Sequence, residues 1–184
     1  MFMPQDAIVV PIKRFDVAKE RLRLGGVAEV TSLARSLAAG VLTACAPRHV
    51  VVVSESKDVT DFAQERGAEV LELASTGLNG AVQRAYEALG TRFEYLILVH
   101  GDLRFPEGLG GFVFEPGITL VTDHHGEGTN VLALATGLDF HFQYGPGSLS
   151  RHVDEATRLG VEFRVIRDSP WRYDVDEASD LQGP

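Results

Sequence analysis

Residues 6–22 read DAIVVPIKRFDVAKERL, an apolar run followed at once by a basic segment. The run DAIVVP is typical of a strand buried on both faces of a parallel sheet, because its apolar residues are continuous. The next eleven residues carry four cations, although the whole chain has a net charge of −9. A local basic cluster at the end of a strand indicates a phosphate site, with a solvated charged turn as the plain alternative. The cations are Lys13, Arg14, Lys19 and Arg21.

Length and composition limit what the chain can be. Its 184 residues fit a single domain, residues 1–184. Hydrophobic residues make up 45% and charged residues 23%, and there is neither a membrane-length apolar run nor an export signal. We therefore expect a cytoplasmic protein that contacts no membrane, and the acidic net charge argues against nucleic acid as a partner. The lone cysteine, Cys45, fits a reducing compartment and is expected in the core.

Helical and strand-like segments alternate along the chain. An amphipathic helix is predicted over residues 27–46, where Val30, Leu33, Leu37 and Val41 share one face. Further strands are predicted at 49–54, 68–73 and 94–102; between them lie a helix at 57–67 and a segment at 75–90 whose first polar and glycine residues lead into a helix. In the second half of the chain, the sequence predicts two strands around a glycine-rich turn (117–136), a loop that leads into a helix (144–160) and a strand (161–166). This order predicts an α/β fold with a mainly parallel sheet flanked by helices.

The loops that follow the strands should meet at one edge of the sheet. Ligands of open α/β sheets bind at the carboxyl ends of the strands, so residues 12–22, 54–57, 75–80 and 100–102 are expected to share a rim. The sequence has no GxxxxGK[ST] motif and no GxGxxG after the first strand. A P-loop ATPase and a Rossmann dehydrogenase are therefore disfavoured.

Three aspartates are candidate metal ligands. Asp102 ends an apolar strand, where a carboxylate needs a cation or hydrogen bonds; a turn or helix-cap aspartate is the alternative. Asp174 and Asp176 are two residues apart, so both side chains point to one face of an extended segment and can share a metal. The alternative for Asp176 is the N-cap of the last helix.

Two glycine-rich turns, at residues 126–130 and 144–148, have the composition of backbone nests for carboxylate or phosphate oxygens. A hairpin turn and a helix entry capped by Ser148 are the alternatives, and spacing does not decide between them. The remaining candidates, His124, His125 and His152, lack zinc-site spacing and are expected to be solvent-exposed or capping residues.

Six segments in order resemble the family of 2-phospho-L-lactate or phosphoenolpyruvate guanylyltransferases, which make a precursor of coenzyme F-420. PIKRFDVAKERL is similar to the family's K…AKxRL signature, LNGAV to LNxA, and HGDL to GDLP. GEGTNVLAL is similar to GTGTN, YGPGSLSRH to FGPxSxxRH, and YDVDEASDL to DVDTPxDL. The resemblance covers most of the chain and implies the α/β nucleotidyltransferase fold, also called glycosyltransferase-A-like.

The resemblance implies roles for individual residues. Lys13 and Lys19 match lysines near the GTP phosphates and are candidate catalytic residues, and Asn79 with Gly80 matches a nucleotide-contacting loop. The matching metal-binding aspartates, which would hold Mg²⁺, are Asp102 and Asp174, with Asp176 in reserve. The positions that match those holding the small phospho-acid, partly through backbone N–H groups, are Thr129, Gly145 and Ser148.

The implied reaction transfers GMP from GTP to phosphoenolpyruvate, 2-phospho-L-lactate or 3-phosphoglycerate and releases pyrophosphate. Arg104 stands where the family has proline, Glu127 replaces a threonine of GTGT, and both are expected near the acceptor. Another nucleotidyltransferase of the same fold would need a first loop of the type LAGGxSxRMG, which this sequence lacks. A non-catalytic nucleotide-binding regulatory domain is the other alternative. The acceptor, the number of metal ions and the oligomeric state, with a homodimer as one option, stay open.

Overall fold

A seven-stranded sheet runs through the protein in a computed structural model, which describes residues 6–73 and 77–182. The strands are β1 (Asp6–Pro11), β2 (His49–Val53), β3 (Glu69–Leu71), β4 (Tyr95–Val99), β5 (Ile118–Thr122), β6 (Thr129–Ala135) and β7 (Phe163–Ile166). Their order in the sheet is β3-β2-β1-β4-β6-β5-β7. Strands from both halves of the chain therefore lie in one sheet.

Five α-helices accompany the strands in the described part of the chain: α1 (Glu20–Leu24), α2 (Val30–Ala44), α3 (Lys57–Gln64), α4 (Gly77–Leu89) and α5 (Ser148–Leu159). Three short 3-10 helices, Leu109–Gly111, Pro170–Arg172 and Ala178–Leu181, follow β4 and β7. Within residues 6–73 and 77–182, each helix is too short or too polar to cross a membrane.

The sheet is mainly parallel, which confirms the predicted fold class. β1 pairs in parallel with β2 and β4, β2 with β3, and β5 with β7, whereas β6 is antiparallel to both of its neighbours. Because β6 runs the other way, its first residue, Thr129, lies at the same edge as the carboxyl end of β4. The reversal therefore brings the glycine-rich turn before β6 to the predicted ligand rim.

Apolar layers cover both faces of the sheet. Alternate residues of β1 enter different clusters: Ile8 and Val10 pack with α2 and α3, and Ala7 and Val9 pack with α4 and α5. All four side chains are completely buried, as the continuous apolar run predicts. The burial of β1 on both faces fixes the point from which the basic segment leaves the sheet.

Two local predictions need correction. The buried residues of α2 include Ala34, Ala38 and Val41, whereas Leu33 and Leu37 are half-buried and pack beside a small cluster with Val175 near the C-terminus. The small residues Ala34 and Ala38 join the main core cluster, and the larger Leu33 and Leu37 pack beside the C-terminal segment. Residues 77–80, predicted as a loop, form the first turn of α4; residues 75 and 76 lie outside the described part.

Gly110 provides a test of this packing. A Cβ atom at Gly110 would overlap the backbone carbonyl of Ala46 at the end of α2, whereas one at Gly111 would meet nothing within 4 Å. We expect Gly110→Ala to lower the free energy of unfolding by about 3 kcal/mol and Tm by about 6–12 °C, because the backbone must move. Gly111→Ala is the matched control and should stay within about 1 kcal/mol of the parent in the same thermal melts. Equal stability of the two variants would contradict this packing.

Candidate active site

A cavity of about 640 Å³ opens at the carboxyl ends of β1, β2 and β4. Its walls come from the loops after these strands, from α2 and from the first turn of α4, so the predicted meeting of strand-end loops is observed for the described residues. One side is apolar, with Ala34, Ala38, Val53 and Leu78. The polar and charged lining residues are Lys13, Arg14, Lys19, Ser54, Glu55, Ser56, His100, Asp102 and Asp176.

Lys19 joins three separate segments at one end of this cavity. Its backbone is in the left-handed region (φ 59°), and its Nζ donates to Asp102 and, at 2.8 Å, to Asp176. The Lys19 side chain is only 9% exposed. Burial alone would lower the pKa of Lys19, but the two carboxylates outweigh burial and raise it. The same ion pairs lower the pKa of Asp176 against the opposing effect of burial.

Asp174 lies beside Asp102 on the same rim. The strand-like pairing of Leu103 with Asp174, and the hydrogen bond from the Val175 N–H to the Asp102 carbonyl at 3.2 Å, hold the two segments together. Asp174 accepts a hydrogen bond from Asn130 Nδ2 at 3.2 Å. Its pKa is raised by burial first and then by repulsion from Asp102. The site therefore concentrates negative charge that Lys19 neutralises only in part.

The acidic groups fit a hard divalent cation such as Mg²⁺. Asp102 Oδ1 is buried and has no hydrogen-bond partner within the described residues, so it can still accept a ligand. Residues 6–73 and 77–182 hold no group of three or more His, Cys, Asp or Glu side chains arranged to bind a metal. Mg²⁺ at nucleotide sites commonly uses one or two carboxylates with water and phosphate oxygens, so such a group is not required. Asp102, Asp174 and Asp176 as ligands stay a prediction.

The C-terminal turn differs from its predicted form. The alternative of Asp176 as N-cap is wrong: Glu177 is the N-cap of the 3-10 helix Ala178–Leu181. Asp180 accepts from the backbone N–H groups of Asp176 and Glu177 at 2.8 and 2.7 Å. This capping leaves the Asp176 carboxylate for Lys19.

Lys13 presents a second cation to the cavity. Its side chain is exposed, and it makes no ion pair within the described part of the chain. The neighbouring Arg14 pairs with Asp16 at 2.6 Å. Lys13 is thus available for an anionic ligand, whereas Arg14 is already neutralised.

Thr129 and Ser148 lie on the other side of the rim, and both are buried. Thr129 Oγ1 is 3.1 Å from His152 Nδ1. Ser148 is the first residue of α5, and Gly147 is its N-cap, so the alternative of Ser148 as the cap is wrong. Gly145 has a φ of 119°, which favours glycine.

The two glycine-rich turns contact each other through the start of α5. The N–H of Leu149 donates to the Glu127 carbonyl at 2.9 Å, and the N–H of Ser148 donates to the Gly145 carbonyl at 3.0 Å. These two amides are therefore already engaged, and a ligand at this end would have to use hydroxyl groups or other N–H groups. The Glu127 side chain is exposed.

Asn79 links the two ends of the site. Its amide donates to the Tyr144 carbonyl at 3.1 Å and accepts from the Tyr144 N–H at 2.6 Å. The first turn of α4, which carries Gly80, is thus tied to the glycine-rich loop before α5. This contact is missing from the sequence analysis, and the pairing of an amide side chain with the backbone N–H and carbonyl of a residue 65 positions away leaves no sequence signal.

The histidine prediction is confirmed only in part. His125 is exposed and His124 is partly exposed, but His152 is completely buried, so the expectation for His152 is wrong. It packs between Tyr144 and Phe140, with ring centroids at 4.9 and 5.8 Å. Cys45 is buried as predicted, and burial raises its pKa to about 12, which makes its thiol a poor nucleophile.

Arg104 contacts the C-terminal segment. Its Nη1 donates to the Asp180 carbonyl at 2.6 Å, and its backbone N–H donates to the Tyr173 carbonyl at 2.7 Å. Together with Asn130, Arg104 holds the segment that carries Asp174 and Asp176. The sequence shows that Arg104 departs from the family pattern, but it does not predict these contacts with the C-terminal segment.

The mainly parallel sheet with a cavity at the carboxyl ends of its strands is the fold of a solved nucleotidyl transferase from Methanothermobacter thermautotrophicus. The TM-score is 0.68 at 15% identity, over 97% of this chain and 94% of that one. The chain belongs to the family described as Guanylyl transferase CofC like, which matches residues 6–183.

Two curated relatives agree with this membership. A phosphoenolpyruvate guanylyltransferase from Sphaerobacter thermophilus is 34% identical over 186 residues, 95% of this chain and 89% of the relative. A 2-phospho-L-lactate guanylyltransferase from Methanothermobacter thermautotrophicus is 27% identical over 189 residues, 94% of this chain and 81% of the relative. The family resemblance carried by the six sequence segments is confirmed.

The charge of Asp174 can be tested without any substrate. Asp174→Asn keeps an oxygen that can accept from Asn130 but removes repulsion from Asp102, so we expect a higher Tm in metal-free buffer. A gain of about 1 kcal/mol corresponds to about 2–4 °C for a chain of this size. Because the folded-state pKa is raised, wild-type stability falls as pH rises from the ordinary Asp value through the raised one.

The advantage of the Asp174→Asn variant should therefore vanish in acid and reach its full size at neutral pH. Asp168→Asn, at an exposed aspartate, is the control. Thermal melts across pH with a chelator present measure the effect. A lower Tm of Asp174→Asn at neutral pH would contradict it.

Proposed function

We propose that this protein transfers GMP from GTP to a small phospho-acid and releases pyrophosphate, as a step in coenzyme F-420 biosynthesis. The acceptors to consider are phosphoenolpyruvate, 2-phospho-L-lactate and 3-phosphoglycerate. The observation that carries the proposal is the cavity end lined both by Lys13, which makes no ion pair among the described residues, and by the Lys19–Asp102–Asp176 cluster. The names of the two curated relatives support the same reaction class.

The cavity suits a nucleoside triphosphate in size and in the distribution of charge. About 640 Å³ lies within the usual range of roughly 300–1,000 Å³ for small-molecule sites. Its apolar wall, with Ala34, Val53 and Leu78, offers a surface for a planar base. At the other end, Lys13 offers positive charge for the phosphates, whereas Lys19 is engaged by Asp102 and Asp176. GTP would therefore lie with its base toward α2 and α4 and its phosphates toward β1 and β4.

The chemistry requires positioning and charge neutralisation. An anionic oxygen on the phosphate of the acceptor attacks the α-phosphorus of GTP. The new P–O bond forms as the bond from the α-phosphorus to the bridging oxygen breaks, and pyrophosphate leaves with that electron pair. The nucleophile carries no proton, so no general base is needed. Lys13 would offset charge on the phosphates, and this type of electrostatic stabilisation is usually a large part of catalysis.

Asp102 and Asp174 would hold a Mg²⁺ ion, with Asp176 as a further ligand. When bound, the ion supplies charge neutralisation to phosphate oxygens. Without it, Lys19 neutralises Asp102 and Asp176 through its ammonium group. Thr129, Gly145 and Ser148 would bind the acceptor across the rim from Asp102.

Another nucleotidyltransferase activity and a non-catalytic nucleotide-binding role are the competing functions. A panel of GTP, ATP, CTP and UTP with each of the three acceptors and Mg²⁺ separates them. Pyrophosphate release and the mass of the product are the readouts. A product only with another nucleotide would favour the first competitor, and GTP binding without any product would favour the second.

Nucleotide preference gives a direct prediction. GTP with Mg²⁺ should raise Tm more than ATP does under the same conditions. At a hundredfold excess over Kd the stabilisation is about 2.7 kcal/mol, or about 5–10 °C for a chain of this size. Thermal melts at several nucleotide concentrations test this, and equal shifts with ATP would count against guanine selection.

Lys13 gives a second prediction. Lys13→Ala should lower kcat with GTP on the order of 100-fold, because the variant loses a positive charge beside the phosphates. Its Tm should not change, because the side chain is exposed and makes no ion pair in the described part of the chain. Lys57→Ala is the matched control, since Lys57 is 84% exposed and pairs with Asp61 outside the cavity lining. Wild-type turnover of Lys13→Ala at saturating GTP would show that the basic loop is only a solvated turn.

A further inference from the structure

His152 is a buried polar residue to which the proposed reaction assigns no role. It lies on α5 with 0% exposure, below the loop that carries Gly145. Its Nε2 is 3.0 Å from the backbone nitrogen of Gln143. Its Nδ1 is 3.1 Å from Thr129 Oγ1. One ring therefore connects β6 with the loop before α5.

The first of these contacts fixes where the ring proton lies. A backbone N–H can only donate, so Nε2 must accept from Gln143, and the proton of the neutral ring is on Nδ1. Burial, followed by the positive charges of Arg151 and His100, lowers the pKa of His152 to about 4. At neutral pH the ring therefore stays uncharged, and its Nε2 lone pair accepts from the Gln143 N–H. Nδ1–H then donates to Thr129 Oγ1.

This donation orients the hydroxyl of Thr129. A hydroxyl has one proton and two acceptor lone pairs, and one lone pair is occupied by Nδ1–H. Within the described residues Thr129 Oγ1 has no other hydrogen-bond partner, so its own proton has no protein acceptor there. Because Thr129 begins β6 at the ligand rim, that proton is left for an anion bound at the rim.

We propose that His152 is a positioning residue that holds the Thr129 hydroxyl as a hydrogen-bond donor to an oxyanion of the phospho-acid acceptor. This inference rests on the proposed function, because it takes Thr129 as an acceptor contact. The role of His152 is separate from support of the loop. Arg151 also holds that loop, through the carbonyls of Gln143 at 3.0 Å and Pro146 at 2.6 Å.

Two substitutions separate the two ring nitrogens. His152→Asn can place an amide N–H near the position of Nδ1 and keep the donation to Thr129, but it loses the acceptor for the Gln143 N–H. His152→Gln can place a carbonyl oxygen near the position of Nε2 and keep that acceptor, but it loses the donation to Thr129. We expect His152→Gln to raise KM for the acceptor about tenfold with KM for GTP unchanged. His152→Asn should change the acceptor KM by less than threefold and lower Tm more than His152→Gln does.

A merely structural role predicts that the acceptor KM follows Tm in both variants, and that result would overturn the inference. Thr129→Val should raise the acceptor KM to a similar extent, and adding His152→Gln to it should have little further effect. Independent, multiplicative effects of the two substitutions would also overturn the inference. Steady-state kinetics with GTP, Mg²⁺ and the best of the three acceptors provide these values.

Imidazole nitrogen NMR tests the tautomer without any turnover. The wild-type protein at neutral pH should show His152 protonated on Nδ1, and protonation on Nε2 would overturn the inference. Absence of product from the wild type with every acceptor would overturn the proposed function, and this inference with it. Normal wild-type transfer with an unchanged acceptor KM in His152→Gln would overturn the inference alone.

Discussion

The ammonium group of Lys19, held between the carboxylates of Asp102 and Asp176, is the interaction on which the rest of the site depends. Lys19 lies in the loop after β1. It connects this loop with Asp102 after β4, 83 residues away along the chain, and with Asp176 in the C-terminal segment, 157 residues away. A half-buried carboxylate without a partner would be costly, and a buried ammonium equally so. The ion pairs offset the cost of burying the ammonium group and the carboxylates. They also close one end of the cavity.

This arrangement leaves the rim under electrostatic strain. Asp174 lies beside Asp102 with a hydrogen bond from Asn130, and no Lys or Arg among the described residues pairs with it; burial and repulsion raise its pKa. The buried Oδ1 of Asp102 has no partner in the described residues. Such unsatisfied groups are typical of binding sites, where stability of the free protein is lower than it could be. Neutralisation by a bound cation would remove this strain.

The fold was largely predictable, because the features that decide it are local. Strands with nearly continuous apolar residues, such as 6–11 and 49–53, can bury their side chains only between two layers of helices. The alternation of strands with helices then allows few chain topologies. The face of α2 was less predictable. Ala34 and Ala38 join the main core cluster, while Leu33 and Leu37 pack beside the cluster that contains Val175. The hydrophobic periodicity of a helix does not show which of two adjacent apolar faces packs on the main core and which packs on another segment.

The candidate site was predictable only where charge or glycine marked it. Lys13, Lys19 and Asp102 follow buried strands, so the topology alone brings them to one rim, and the cavity contains all three. The contacts of Asn79 with Tyr144 and of His152 with Thr129 join distant segments through neutral hydrogen bonds. A neutral polar residue has the same local pattern whether it is exposed or buried. Its role appears only when the partner segment is known.

The two ends of the site also differ in chemistry, and the proposed reaction gives a reason. The proposed triphosphate end would use the ammonium group of Lys13, which suits a leaving pyrophosphate that gains negative charge. The proposed acceptor end would use Thr129 and neutral His152, while the nearby Arg151 donates to the carbonyls of Gln143 and Pro146. A cation bound to the attacking phosphate oxygen would lower its nucleophilicity, whereas neutral donors to another part of the acceptor orient it without that cost. On the proposed placement of the substrates, charge at the leaving group and neutral hydrogen bonds at the acceptor would therefore favour in-line transfer between two anions.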